Sequence, residues 1–108
     1  MAPQIGAGFT FGDEPLNAGD MASATCAVIK GDSPIEVEFM FQNNPIDTKN
    51  KGIVISDSGR RAKTLTIENV DARHVGEYTC VTSNLAGSIS RSALLSVNGT
   101  NLNIVVHK

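Results

Sequence analysis

The sequence predicts an all-β fold, a sandwich of two sheets. Three observations lead there. Val, Ile and Thr recur in short alternating runs, and Ser, Gly and Asn punctuate those runs at regular intervals. No stretch holds a 3.6-residue apolar period for two turns. With 108 residues the chain is sized for one domain, large enough to bury about 65% of its extended surface.

Residues 3–5 and 9–11 read as an opening edge strand broken by Gly6, Ala7 and Gly8, since proline and glycine suit an interrupted edge. Residues 15–20 are turn-rich and lead into a central strand over 21–29, where Ala22, Ala24, Cys26 and Val28 share one face. Residues 30–34 form a loop by composition. The cleanest alternation follows, with Ile35, Val37, Phe39 and Phe41 on one face and Glu36, Glu38, Met40 and Gln42 on the other. A β-branched strand over 52–56 closes in a turn at 57–60. The strand over 63–68 sends Leu65 and Ile67 inward and Thr64, Thr66 and Glu68 outward. A crossing over 70–75 holds one helical turn, and 77–83 is a strand joined by a turn at 84–87 to a last strand over 89–97. The tail over 101–108 alternates Leu102, Ile104 and Val106 with Asn101, Asn103 and Val105 and reads as a further strand. The domain is therefore expected over 1–99, with 100–108 as an extension or linker.

Composition excludes several classes of function. A net charge of −2 and a pI near 5.5 argue against a nucleic-acid or anionic-membrane surface, both of which need clustered Lys and Arg. The longest apolar runs, at 52–55 and 104–106, fall far short of the ~20 residues that span a bilayer. Met1, Ala2, Pro3 and Gln4 form no basic-then-apolar leader, so an exported chain would have had its leader removed.

Cys26 and Cys80 occupy inward positions of two well-separated strands. Bridged, they close a loop of about 55 residues, a constraint the chain-entropy model rates at roughly 4 kcal/mol. The alternative is two unrelated buried thiols, because free cysteine is commonly core. Their inward placement, with Tyr78 two residues before the second, favours the bridge. A bridge implies an oxidising compartment and an extracellular protein.

Cys26, the run Gly76-Glu77-Tyr78-Thr79-Cys80 and Leu65-x-Ile67 upstream resemble an immunoglobulin domain of the I-set, and the resemblance covers most of residues 3–97. It implies a Greek-key sandwich with one inter-sheet disulfide, and makes Tyr78 the tyrosine corner. Two positions depart from the family pattern. Phe39 stands thirteen residues after Cys26, where the family's core tryptophan belongs, and His74 replaces the usual Asp six residues before Cys80. The ring of Phe39 still covers the disulfide, while the family's Arg–Asp bridge loses its acid. A narrower set is similar to Down syndrome cell adhesion molecule (Dscam) domains: Pro3-Gln4-Ile5, Phe9-x-Phe11, Lys30-Gly31-Asp32-x-Pro34-Ile35, His74-x-Gly76 and Ser83-Asn84-x-Ala86-Gly87. It looks most like the variable first immunoglobulin domain of the shortened Dscam proteins of chelicerates.

No catalytic set is visible. The two histidines, His74 and His107, lie at a corner and in the tail, so neither a nucleophile–base pair nor the three or four converging ligands of a metal site is expected. Gly6, Gly8 and Gly12 lack the strand–turn–helix context of a dinucleotide loop and read as turn glycines. Glu36 and Glu38, about 7 Å apart along one strand, read as a solvated face rather than a glycosidase pair. Lys30-Gly31-Asp32 is similar to short acidic motifs read by integrins, but a plain turn accounts for it. Asn98-Gly99-Thr100 is a sequon, and Asn98 is the candidate glycosylation site.

What the Dscam resemblance implies is a single-pass neuronal surface receptor whose isoforms each recognise their own kind. The expected partner is an identical domain on an opposing cell, with no cofactor, nucleic acid or small-molecule substrate. The membrane would be reached only through a transmembrane segment of the parent receptor. A structural spacer or a heterophilic receptor module is the alternative, and an intracellular muscle-type domain is a third reading. The resemblance places self-recognition on the sheet holding the opening strand and the strands of Thr25, Val54 and Thr64. Its candidate residues are Lys63, Thr64, Thr66, Glu68, Thr25 and Val54, with Lys63 expected to meet Glu68 of the opposing copy. Met40 and Val81, outward on the other sheet, are the rival patch. Phe39→Ala is expected to cost about 3–5 kcal/mol, as for other buried aromatic truncations; an unchanged melting temperature would show that Phe39 is not core.

Overall fold

The computed structural model describes residues 1–12, 15–46 and 48–98, without the side chains of residues 50 and 51. Among them, β1 (Gln4–Ile5), β2 (Ala22–Lys30), β6 (Ala62–Ile67) and β5 (Ile53–Asp57) form one antiparallel sheet in that order. The second sheet runs β4 (Asn44–Pro45), β3 (Glu36–Phe41), β7 (Gly76–Asn84) and β8 (Gly87–Leu95). Alternation sets the register. Ala22, Ala24, Cys26 and Val28 are buried on β2, and Val37 and Phe39 on β3, while the residues between them face out.

Cys26 and Cys80 are bridged between the sheets, with Cα atoms 6.4 Å apart and neither residue exposed. Phe39 stands directly opposite Cys80 on the adjoining strand. Where the family carries an indole, two smaller rings share the space: Phe9 packs on Phe39 at 5.9 Å between centroids. Phe9 also meets Phe11 at 6.4 Å, Phe11 meets Tyr78 at 5.1 Å, and Tyr78 meets Phe41 at 4.7 Å. The four phenylalanines and the single tyrosine of the chain thus form one continuous train of rings. Leu65, Ile67, Ile53, Leu95 and Val97 complete the core around it.

This train explains a departure from the sequence reading. The opening strand ends at Ile5, and residues 9–11 are not strand. Burying Phe9 and half-burying Phe11 takes the chain out of the first sheet. It then crosses to the second, where Leu16 makes a parallel bridge with Val97. The last strand likewise ends at Leu95 rather than at 97. A short helix, α1 (Thr48–Lys51), precedes β5 and has no counterpart in the sequence reading. The tail over 101–108, with the boundary proposed at 99–100, lies outside the described residues.

The corner before β7 is a single 3-10 turn over Ala72–His74, capped by Asp71. The Asp71 carboxylate accepts from Arg73 N–H, and the Arg73 guanidinium beside it holds that carboxyl below the usual carboxylate range. His74 is buried where the family has its Asp, and its Nδ1 accepts the Asp71 backbone N–H at 3.0 Å. Tyr78 donates its hydroxyl to the His74 carbonyl at 2.7 Å, the tyrosine corner. Burial pushes the Tyr78 hydroxyl above its ordinary pKa, so it stays a donor. Gly76 follows with φ +150°, and a Cβ there would meet the Phe41 ring at 2.8 Å.

Two buried hydroxyls lead to opposite expectations. Thr82, fully buried on β7, finds no partner for its Oγ1 among the described residues. Thr82→Val is therefore expected to stabilise the domain by about 1 kcal/mol, since it removes an unpaired buried hydroxyl at nearly constant volume. Tyr78→Phe strips the His74 carbonyl of its donor and is expected to cost about 1–3 kcal/mol. Denaturant unfolding checks both, and shifts of the same sign would overturn the assignment.

Candidate functional site

The outward faces of the two sheets are the surfaces on which a partner could be read, and their chemistries differ. On β1-β2-β6-β5 the outward residues are Gln4, then Ser23, Thr25, Ala27 and Ile29, then Ala62, Thr64 and Thr66, then Val54 and Ser56. None is charged. Met21, just before β2, is 58% exposed, Ile29 61% and Val54 53%, so apolar groups stand in water at the ends and along one edge of this face. Thr25, Thr64 and Ser56 are direct cross-strand neighbours. Thr64 Oγ1 lies 2.8 Å from Thr25 Oγ1 and 2.7 Å from Ser58 Oγ, so the hydroxyls of the centre are bonded to one another. A surface whose polar groups already satisfy each other loses little when water is removed.

On the other sheet β3 turns Glu36, Glu38 and Met40 outward, β7 turns out Glu77, Thr79, Val81 and Ser83, and β8 turns out Ser88, Ser90, Ser92 and Leu94. Three carboxylates share this face with no outward cation. Met40 and Val81 do sit here, half-buried, and Thr79 Oγ1 lies 2.9 Å from Ser92 Oγ.

Lys63 does not stand where the expected charge register needs it. It shares its side of β6 with the buried Leu65 and Ile67, and lines an open cleft of about 400 Å³ between the sheets with Val37, Glu38 and Asp57. Glu68, five residues on and just past the end of β6, has the opposite parity. An odd separation on a strand puts two side chains on opposite faces, so Lys63 cannot meet Glu68 of a facing copy. Thr25, Val54, Thr64 and Thr66 remain together on the uncharged face. Met21 and Ile29, which the sequence reading passed over, join them. Their signal was legible: both have the outward parity of β2 and both are apolar.

Asn98 is exposed; its Nδ2 donates to Asn17 Oδ1 at 2.9 Å and its backbone N–H to Leu16 O. Gly99 and Thr100 of the sequon lie outside the described residues.

Comparison with known proteins agrees with this architecture. Residues 12–97 match the immunoglobulin I-set domain family. The chain is 37% identical over 90 residues, 83% of its length, to the cell adhesion molecule Dscam1 of Drosophila melanogaster, of which that stretch is 4%. The crystal structure of the Dscam1 Ig7 domain, isoform 5, superposes with a TM-score of 0.84 at 37% identity, covering 90% of this chain and 97% of that one. The I67-I69 I-band fragment of titin gives a TM-score of 0.78 at 28% identity over 90% of this chain and 32% of that one. Two sheets clamped by Cys26–Cys80, a tyrosine hydroxyl tied back to the corner before its strand, and the match over 12–97 together make this chain a member of the immunoglobulin I-set family.

Proposed function

We propose that this domain is an extracellular, homophilic adhesion module of a neuronal surface receptor, binding an identical domain on an opposing cell through the outward face of β1-β2-β6-β5. The likeness to Dscam proteins supports the adhesion class. The observation that carries the choice of face is the charge contrast. A two-fold contact sets a surface against its own copy. The face of β4-β3-β7-β8 would bring six glutamates together, offset only by Lys63 and Arg60 in the cleft beside Glu36 and Glu38, and opposed like charges cost up to several kcal/mol. The uncharged face meets no such penalty and presents Met21, Ile29 and Val54 to be covered. The shared elements Phe9-x-Phe11, Lys30-Gly31-Asp32 and Ser83-Asn84-x-Ala86-Gly87 support placing it as the first domain of a shortened Dscam protein. On that reading Asn98 bears a glycan at the end of the domain that also holds Asn17.

A structural spacer is the second reading, supported by the titin likeness. The two separate in solution and on cells. The purified chain is expected to dimerise in sedimentation equilibrium, and cells displaying it to aggregate with their own kind. Val54→Asp is expected to abolish both, while Glu38→Lys leaves them intact. A wild-type chain that stays monomeric at high micromolar concentration and fails to aggregate cells would favour the spacer.

A further inference from the structure

The uncharged face carries a pattern that repeats itself under rotation. Thr25 of β2, Thr64 of β6 and Ser56 of β5 form one row straight across the sheet. Along β2 the two most exposed apolar side chains of this face, Met21 and Ile29, lie four residues to either side of Thr25. We infer that two copies pair face to face about a two-fold axis lying along the Thr25–Thr64–Ser56 row, so that Met21 of each copy packs against Ile29 of the other. This rests on the homophilic reading above and supplies its register.

A two-fold axis along that row runs the strands of the two copies antiparallel and brings together residues equidistant from it. Ser23 then lies over Ala27, Thr66 over Ala62 and Val54 over Ser58, all small or neutral side chains that let flat sheets approach. Four residues of strand span about 13 Å, so the two Met21–Ile29 contacts lie about 27 Å apart across a hydroxyl centre. Contacts at both ends specify register sharply, because a slip in either direction loses both together. Within the row the Thr25 and Thr64 hydroxyls already hydrogen-bond to each other, and Thr64 also to Ser58, two residues beyond Ser56, which lowers the cost of covering them.

Charge agrees with the same axis. Glu68 lies four residues beyond Thr64 at one end of β6, and Arg60 four residues before it at the other. Each Glu68 therefore comes over the turn of the opposing copy that carries Arg60 and Arg61, both exposed. Arg61 is steadied there by its bond to the Gly31 carbonyl at 2.8 Å. The cations that answer Glu68 are those of this turn, of which Arg60 also lines the cleft that holds Lys63.

Equilibrium sedimentation of the full chain tests the register by exchange. Met21→Lys and Ile29→Glu are each expected to weaken self-association at least tenfold with an unchanged melting temperature, because both positions are exposed. Mixed, they are expected to form a heterodimer at near wild-type affinity, since one end gains a Lys–Glu pair and the other keeps its Met–Ile contact. Thr25→Arg, which sets two guanidinium groups against each other at the axis, is expected to abolish dimers, and Leu94→Glu on the other sheet to leave them unchanged. A wild type that dimerises while Met21→Lys or Ile29→Glu binds as well as wild type would overturn the register and leave the homophilic reading standing. Two weakened variants that fail to rescue each other would also overturn it. A wild type that never dimerises removes both.

Discussion

The aromatic train from Phe39 through Phe9, Phe11 and Tyr78 to Phe41 holds the rest of the structure in place. It begins beside the Cys26–Cys80 bridge and ends over the corner where Tyr78 is tied to His74. In this family one tryptophan normally covers the disulfide. Here the opening segment supplies the missing area by driving Phe9 into the gap beside Phe39. The consequences reach beyond the core. An opening strand that must deliver two rings to the interior cannot remain paired with β2, which is why it is only two residues long. The same excursion carries the chain across to Val97, so that Leu16 and Ser96 close the second sheet.

His74 shows how a family feature is replaced rather than lost. An Asp at this corner would accept hydrogen bonds as a carboxylate. The imidazole instead accepts through Nδ1 from the Asp71 backbone N–H. The corner keeps its cap, and a buried position avoids a bare negative charge.

The two sheets share one core and present unlike surfaces. One is neutral, with the Thr64 hydroxyl bonded to those of Thr25 and Ser58 at its centre; the other carries three glutamates among serines. Surfaces of the second kind repel their own copies, and those of the first are limited mainly by shape and by how their apolar groups are spaced. A neutral face of this kind offers a partner its shape and the spacing of its exposed apolar groups, Met21, Ile29 and Val54, rather than charge.

The alternation of β2 and β3, the pairing of Cys26 with Cys80, and Tyr78 two residues before the second cysteine made the sandwich legible in the sequence, since a strand with one buried face repeats every two residues. The same rule, applied to Lys63 and Glu68, already separates them: they are five residues apart, and no sheet turns both to one side. What the sequence could not determine was which neighbours lie across from each strand. The row of Thr25, Thr64 and Ser56 joins residues that are 39 and 8 positions apart in the chain. The partnership of Phe9 with Phe39 joins residues 30 apart. Local preference sets which way each side chain points along its own strand. Which strands lie side by side, and so which side chains share a surface, is decided by closing the core, where rings, disulfide and corner must all fit the same space at once.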